Sequence, residues 1–436
     1  MTLEDLKHKR IVVLGMGTNN KHLALYLKQH AIPFSVVEKW KAPAELTAHL
    51  QDVEVIFRTP GLPWLSEVIQ KSQSRGVIVY SQTKLFFDLC PASIIGVTGT
   101  KGKGTTSTLV HRLLEAHGKK SWLAGNIGSD PFQFLDQTKN DHIVVLELSS
   151  FQTQDLHKSP HVAVVLKITP EHLDYHHDFE EYTAAKLQLV KFSTPSDFAV
   201  LNYDSEITRS FADKTQAQII WNSTLQEVKQ GCFVRDGTIF LNELEIMNVD
   251  EVGLLGEFNL QNVTAAIAAV STATAIDPKK TRQVIADFGG LEHRLEFVAE
   301  VNGVKFYDDS FSTTPETAVA ALTVFAQPII LIAGGSEKNS DYRSLGKQIA
   351  ASQIKALIAI GITGPRIADA ARVAGFNGKI LNTYVSDMQT IVRTANEIAE
   401  KGDVVLLSPA SASFDMFANY KHRGELFKKF VVNLQS

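Results

Sequence analysis

Short apolar runs punctuate the chain at Ile11–Leu14, Ile94–Val97, Ile143–Leu146, Val162–Leu166, Ile329–Ile332, Ala356–Ile360 and Val404–Leu407. Helical patterns follow them. Runs of this length, alternating with helices, predict parallel strands covered on both faces. The expected class is therefore α/β, with several doubly wound sheets. The stretch 218–255 breaks the pattern. It is rich in Val, Phe, Ile and turn residues and predicts a small antiparallel insertion. Two turns suggest boundaries, Cys90-Pro91-Ala92-Ser93 and Gly289-Gly290. They divide the chain into 1–91, 92–292 and 293–436.

Composition narrows the picture. With 44% hydrophobic and 21% charged residues, the chain is neither disordered nor a disulfide-stapled miniprotein. Lys+Arg is 43 against Asp+Glu 47, a net charge of -4. That balance gives no global field for nucleic acid or an anionic membrane. Any polyanion must be held by a local site. The two cysteines, Cys90 and Cys232, form neither a disulfide framework nor a zinc site, which fits a reducing compartment. No run approaches the ~18 apolar residues of a membrane helix. A cytoplasmic monomer is expected.

The most specific local signal is Gly96-Val-Thr-Gly-Thr-Lys-Gly-Lys103-Gly104-Thr105-Thr106. It follows one apolar run and precedes a helical pattern over Thr105–His117. Gly96, Gly102 and Lys103 fit the phosphate-loop spacing. There, glycines let backbone N–H groups face phosphate oxygens, a helix N-terminus adds positive potential, and the lysine reaches the terminal phosphates. Gly104 stands where a magnesium-binding hydroxyl is usual. Thr105 or Thr106 is expected to supply it. Glu147 ends the run 143–146, and His172 follows another strand within Ile168–His176. Each could give one ligand to a magnesium ion near the γ-phosphate. The N-terminal Gly15-Met-Gly17-Thr18 turn is a partial dinucleotide signal. Asn20 replaces its third glycine, and Glu38 stands about 20 residues on, where a ribose-binding acid would sit.

Several segments together resemble the Mur ligases. Gly99-Thr-Lys-Gly-Lys-Gly-Thr-Thr106 looks like their phosphate loop, shared with folylpolyglutamate synthetases. Glu147-Leu-Ser-Ser-Phe-Gln152 and Leu407-Ser-Pro-Ala-Ser-Ala-Ser-Phe-Asp-Met-Phe417, with Tyr420 and Arg423-Gly424, are similar to the glutamate-adding branch. Glu171–His176 with Ala184-Ala185-Lys186 resembles a segment whose lysine is carbamylated and helps hold magnesium. A neutral-pH ammonium cannot ligate a cation, so the modification makes chemical sense.

The resemblance implies three domains: a Rossmann-like first domain, a central phosphate-loop ATPase-type domain with a mostly parallel sheet, and a Rossmann-like C-terminal domain. It implies ATP-dependent addition of glutamate to UDP-N-acetylmuramoyl-L-alanine through an acyl phosphate, in peptidoglycan precursor synthesis. ATP would be held by Gly99, Thr100, Lys101, Gly102, Lys103, Gly104, Thr105, Thr106, Asn259, Asn262, Arg294 and Asp309. Two magnesium ions would be served by Thr105, Glu147, His172 and carbamylated Lys186. Gly15, Thr18, Glu38, Gly61 and Asn126 would face the sugar nucleotide. Thr313, Lys338, Ser413, Phe414 and Tyr420 would face glutamate. Strand, turn and helix start are expected to place Ser413 and the Phe414 N–H where a carboxylate docks, and an asparagine of Gly256–Asn262 would also cap its helix. Two positions depart from the family pattern. Phe258 replaces a histidine. Phe311 replaces a lysine, in a Ser-Thr-Thr-Pro context similar to a branch that adds L-glutamate. D- and L-glutamate therefore both stay open. So do a γ-glutamyl ligase of the folate type, an NAD-dependent oxidoreductase and a non-catalytic nucleotide-binding regulator.

Overall fold

The computed structural model describes residues 1–337, 339–382 and 387–435. The chain forms two compact units. One is Met1–Val252 with Glu257–Phe288; the other is Gly253–Gly256 with Gly289–Ser436.

The first unit holds two sheets. The smaller comprises β1 (Ile11–Leu14), β2 (Ser35–Val37), β3 (Val55–Arg58) and β4 (Ile78–Ser81). Its order is β2-β1-β3-β4, all parallel. The larger sheet has nine strands in the order β13-β12-β11-β10-β9-β8-β5-β7-β6. They are β5 (Ser93–Thr98), β6 (Ser121–Gly125), β7 (Ile143–Glu147), β8 (Val162–Val165), β9 (Phe198–Asn202), β10 (Gln218–Ser223), β11 (Gly231–Arg235), β12 (Thr238–Leu241) and β13 (Leu244–Asn248). From β5 the chain runs out to β6, returns through β7, and then crosses to β8 on the other flank. The C-terminal end of β5 is therefore a topological switch point, where open α/β sheets leave a crevice.

The expected antiparallel insertion is a real meander, β11–β12–β13. It does not form a separate layer. β10 pairs in parallel with both β9 and β11, so the meander extends the large sheet. The two sheets share one core: Val13 and Phe57 from the first, Phe86 from the linking helix, and Val144 and Val165 from the second lie in one buried cluster. The turn at 90–93 thus separates sheets within one compact unit.

The second unit holds a six-stranded sheet, β14-β15-β19-β16-β17-β18. Its strands are β14 (Glu296–Val301), β15 (Val304–Asp308), β16 (Ile329–Gly334), β17 (Ile354–Ile360), β18 (Lys379–Asn382) and β19 (Val404–Leu407). Only β14 runs antiparallel. Separate apolar clusters cover its two faces. The loops after β15, β16, β17 and β19 share the C-terminal edge.

Candidate active site

The phosphate loop occupies the switch point. The helix Lys103–Ala116 starts two residues before the expected Thr105, with Gly102 as its N-cap at φ 85. A Cβ at Gly102 would lie 2.0 Å from Asn262 Oδ1, and one at Gly99 (φ 151) 2.6 Å from Leu166 Cβ. Only glycine fits these two places. Thr100 staples the loop to its neighbour: its hydroxyl accepts from Thr169 N at 2.9 Å and lies 3.0 Å from the Tyr182 hydroxyl. Lys101 pairs with Glu171. Thr106 is fully buried and donates to Asn262 Oδ1 at 3.3 Å. Thr105, on the first turn, does not make that bond.

Beside the loop lies an unusual lysine. Lys186, from the helix Phe179–Lys191, is 1% exposed. It donates to Gly99 O at 2.8 Å and lies 4.5 Å from the centre of the Tyr182 ring. Lys103 Nζ reaches the same carbonyl at 3.3 Å and Thr100 O at 3.0 Å. Two ammonium groups therefore converge on one oxygen. Burial first, and the Lys103 charge second, hold Lys186 well below the ordinary lysine value. Burial thus eases the loss of its proton, and the free amine is the nucleophilic form. Glu147 ends β7 on one flank, half-buried. His172 follows β8 on the other, at φ 57, with its ring 5.0 Å from Phe151. Partial burial holds this imidazole below its usual value. His176 is buried. It bonds Ser150 Oγ at 2.9 Å and Glu181 Oε1 at 3.2 Å. His177 is exposed.

A cleft of about 270 Å³ opens beside the loop, lined by Thr100, Gly102, Thr169, Phe258, Gln261 and Asn262. Asn259 does not cap its helix. Glu257 stands at the cap, and Asn259 accepts from Asn262 Nδ2 at 2.7 Å inside the first turn. Asn262 lines the cleft, and Asn259 braces it by that bond. The residues fit a polyphosphate: glycine backbone, a helix N-terminus and two lysines converge, with a roomy cleft alongside.

The residues expected to face the sugar nucleotide also follow strands, Gly15, Thr18, Glu38 and Gly61 in the smaller sheet and Asn126 after β6 of the larger one. Gly15 (φ 70) donates to Val37 O at 2.8 Å. Thr18 opens the helix Thr18–Gln29. Thr18, Glu38, Gly61 and Asn126 are exposed, and the Asn126 N–H donates to Glu147 O at 3.2 Å. Asn20 is buried and donates to Leu14 O at 2.8 Å and Gly15 O at 3.1 Å. The place of a third dinucleotide glycine is thus filled by a side chain that ties the turn.

In the second unit, His293 and Asp308 form a buried bond of 2.7 Å. Gly424 lies against them: a Cβ there would stand 2.2 Å from His293 Nδ1 and 2.5 Å from Asp308 Oδ2. His293, Glu296 and Asp308 form a possible cation cluster among the described residues. His293 Nδ1 is already engaged with Asp308, and Glu296 with Lys428. Asp309 is 4% exposed. It accepts from Ser408 Oγ at 2.7 Å and Leu295 N at 3.3 Å, and burial pushes its carboxyl up to about 7. Arg294 lies 4.0 Å from the centre of the Phe311 ring, and Phe311 meets Tyr420 edge-on at 5.1 Å.

The expected helix start at Ser413 is a single turn instead, closed by Phe417 N donating to Ser413 O at 2.7 Å. Asp415 explains why. Its carboxylate bonds Ser336 Oγ at 3.1 Å and Ile362 N at 3.0 Å, so the turn is tied sideways to neighbouring loops. The helix Tyr420–Val432 begins later, capped by Asn419. Ser413 is buried, and Phe414 is exposed. Thr313 is half-buried just before the helix Pro315–Leu322. Lys338 lies outside the described residues.

Two arginines are buried; sequence reasoning missed Arg58 and gave Arg423, part of the Arg423-Gly424 motif, no role of its own. Arg423 donates to Ser310 Oγ at 2.9 Å, Ser310 O at 2.8 Å and Ser411 O at 3.1 Å. Burial lowers it to about 10. Arg58 plays a similar part in the first unit. Its signal was a lone cation closing the apolar run Val55-Ile56-Phe57.

The Mur ligase middle domain model matches residues 97–270, and the Mur ligase glutamate ligase domain model matches residues 293–411. The UDP-N-acetylmuramoylalanine--D-glutamate ligase of Acetivibrio thermocellus is 36% identical, covering 99% of this chain and 98% of the relative. The chain belongs to the Mur ligase family. It is thereby an ATP-dependent amino acid ligase. The ligase of the same name from Symbiobacterium thermophilum is 38% identical, covering 97% of this chain and 98% of that one. Among solved structures, the MurF ligase of Thermotoga maritima in complex with ADP matches with a TM-score of 0.58 at 17% identity, covering 99% of this chain and 97% of that chain. MurF from Acinetobacter baumannii gives 0.62 at 16% identity, covering 82% of each chain. These matches carry the Mur ligase fold, with its three-domain α/β architecture. No helix among the described residues is long and apolar enough to cross a membrane.

Proposed function

We propose that this chain joins D-glutamate to UDP-N-acetylmuramoyl-L-alanine at the expense of ATP, as a cytoplasmic monomer. The carrying observation is similarity to D-glutamate ligases along almost the whole chain, at 36% and 38% identity in two of them. The phosphate loop at the β5 switch point supports it. In this reading residues 1–91 take the sugar nucleotide, 92–292 take ATP, and 293–436 take glutamate.

The substrate carboxylate attacks the γ-phosphorus of ATP, giving an acyl phosphate and ADP. Lys103 neutralises charge on the transferring group. Glutamate is held through its carboxylates by Lys338 and Ser413, beside Thr313, and its free amine attacks the acyl carbon and gives up a proton. The tetrahedral intermediate then expels phosphate and leaves the amide. Magnesium, when bound, would neutralise phosphate charge and align the groups. Thr105, Glu147, His172 and a carbamate on Lys186 are the residues proposed to hold two ions. A carbamate would replace a buried cation beside Lys103 with an anion, which resolves the crowding at Gly99 O.

Phe311 favours a second reading, in which the amino acid is L-glutamate. Phosphate release with UDP-N-acetylmuramoyl-L-alanine, ATP and magnesium, comparing the two isomers, separates them. The expected result is stimulation by D-glutamate. Stimulation by L-glutamate alone selects the second reading, and none by either sinks both.

A further inference from the structure

Arg58 is fully buried at the end of β3, and its guanidinium reaches three separate segments. Nη1 donates to Leu62 O at 2.6 Å, and to Thr59 O and Pro60 O at 3.3 Å each. It also lies 3.5 Å from the Tyr175 hydroxyl. Nη2 donates to Phe151 O at 3.0 Å and stands 3.4 Å from Asp155 Oδ1. The Tyr175 hydroxyl in turn donates to Pro60 O at 2.8 Å and accepts from Gln154 Nε2 at 2.8 Å. The Phe151 ring packs 4.0 Å from that of Tyr175.

This is a poor design for stability alone. Arg58 Nε and Asp155 Oδ2 are buried with no partner among the described residues. A buried ion pair left this incomplete contributes little net stability. What it does supply is a fork with five donors in fixed geometry, able to hold several carbonyls at once. Pro60 has no N–H, so the turn 59–62 has few donors of its own.

We propose that Arg58, with Tyr175, is the positioning residue that seats the Thr59–Leu62 turn for the sugar nucleotide. It clamps the turn onto Phe151, which lies on the segment following Glu147, and onto Tyr175, which follows His172. Substrate affinity is thereby set by a side chain that does not itself touch substrate. The proposal rests on the reading of this turn as part of the UDP-sugar site.

Arg58→Lys keeps a cation for Asp155 but loses the fork. It should raise KM for UDP-N-acetylmuramoyl-L-alanine roughly 10- to 100-fold, as displaced positioning groups do. KM for ATP should stay within about twofold, because the phosphate loop makes no bond to Arg58; a purely structural loss would move both. Tyr175→Phe, which removes only the hydroxyl, should move the sugar-nucleotide KM in the same direction by a smaller factor. It carries the test should Arg58→Lys not fold. Calorimetric titration of UDP alone, without turnover, reads the inference apart from the reaction. Weaker UDP binding in folded Arg58→Lys or Tyr175→Phe supports the clamp. Equal UDP affinity in wild type and folded variants overturns it, as does a parallel rise in both KM values. A wild type that binds UDP but releases no phosphate with either glutamate overturns the functional reading instead.

Discussion

Gly424 offers the sharpest test of how the second unit is built. It lies inside the helix Tyr420–Val432, where alanine would ordinarily be favoured by about 1 kcal/mol. Here the added Cβ would stand 2.2 Å from His293 Nδ1 and 2.5 Å from Asp308 Oδ2. Ordinary contact needs roughly 3.5 Å or more, so the ring or the carboxylate must move by about an ångström. Either movement breaks the 2.7 Å His293–Asp308 bond. Both groups are buried, and separating such a pair costs on the order of 3–5 kcal/mol. After the helix gain, Gly424→Ala should destabilise the unit by about 2–4 kcal/mol. For a unit of this size that corresponds to a melting temperature roughly 5–15 °C lower. Thermal and urea unfolding of wild type and variant measure it. The cost should shrink in a His293→Ala background, where the ring no longer occupies the space. A variant within about 0.5 kcal/mol of wild type, or an equal cost in both backgrounds, refutes the reasoning.

Two further predictions concern buried ionisable groups. Lys186→Ala should lower phosphate release by roughly 100-fold or more, the scale expected for removing one electrostatic group from a phosphoryl-transfer site. Short carboxylic acids should restore part of it, because they replace the proposed carbamate; full loss without rescue would count against the carbamate. Asp309 is held up to about 7 by burial, so the folded chain binds its proton more tightly than the unfolded one. The resulting stability is full below the unfolded value near 4 and is lost as pH rises toward 7. Wild type should therefore lose stability relative to Asp309→Asn across that window, by up to about 4 kcal/mol. A flat difference between pH 4 and 8 would show that Asp309 is not protonated in the fold.

Strand positions and the phosphate loop were legible because both are local. An apolar run such as Ile143–Leu146 can only be buried, and Gly102-Lys103 needs no distant partner to be read. The antiparallel character was readable for β11–β13, but β10, within the same stretch 218–255, runs parallel, and the meander's attachment to it was not readable. Whether a meander stands alone or joins β10 depends on pairing between chain-distant strands. The Ser413 turn failed for a related reason. A serine before Phe-Asp reads as a cap, yet Asp415 is drawn sideways by Ser336 and Ile362, which no local pattern reveals. Asn259 and Asn262 were expected to serve the nucleotide, and they line or support the cleft. Their hydrogen bond to each other and the fit of Asn262 against Gly102 depend on two segments far apart in sequence.

The two buried arginines show what kind of information is least visible. Each site here is built from loops at strand ends, and such loops turn carbonyls inward with few N–H groups to satisfy them. Pro60 and Pro409 remove a donor each. One guanidinium answers the problem in each unit. Arg58 gathers the carbonyls of Thr59, Pro60, Leu62 and Phe151, and Arg423 those of Ser310, Ser411 and Ala412. A lysine would offer a point charge with three donors rather than a planar fork. In sequence each arginine is one cation with no periodicity, and a near-neutral net charge draws attention away from both. Yet the charge that matters to these loops is internal. It is spent on backbone oxygens rather than on a surface field, so the balance of acidic and basic residues carries no trace of it.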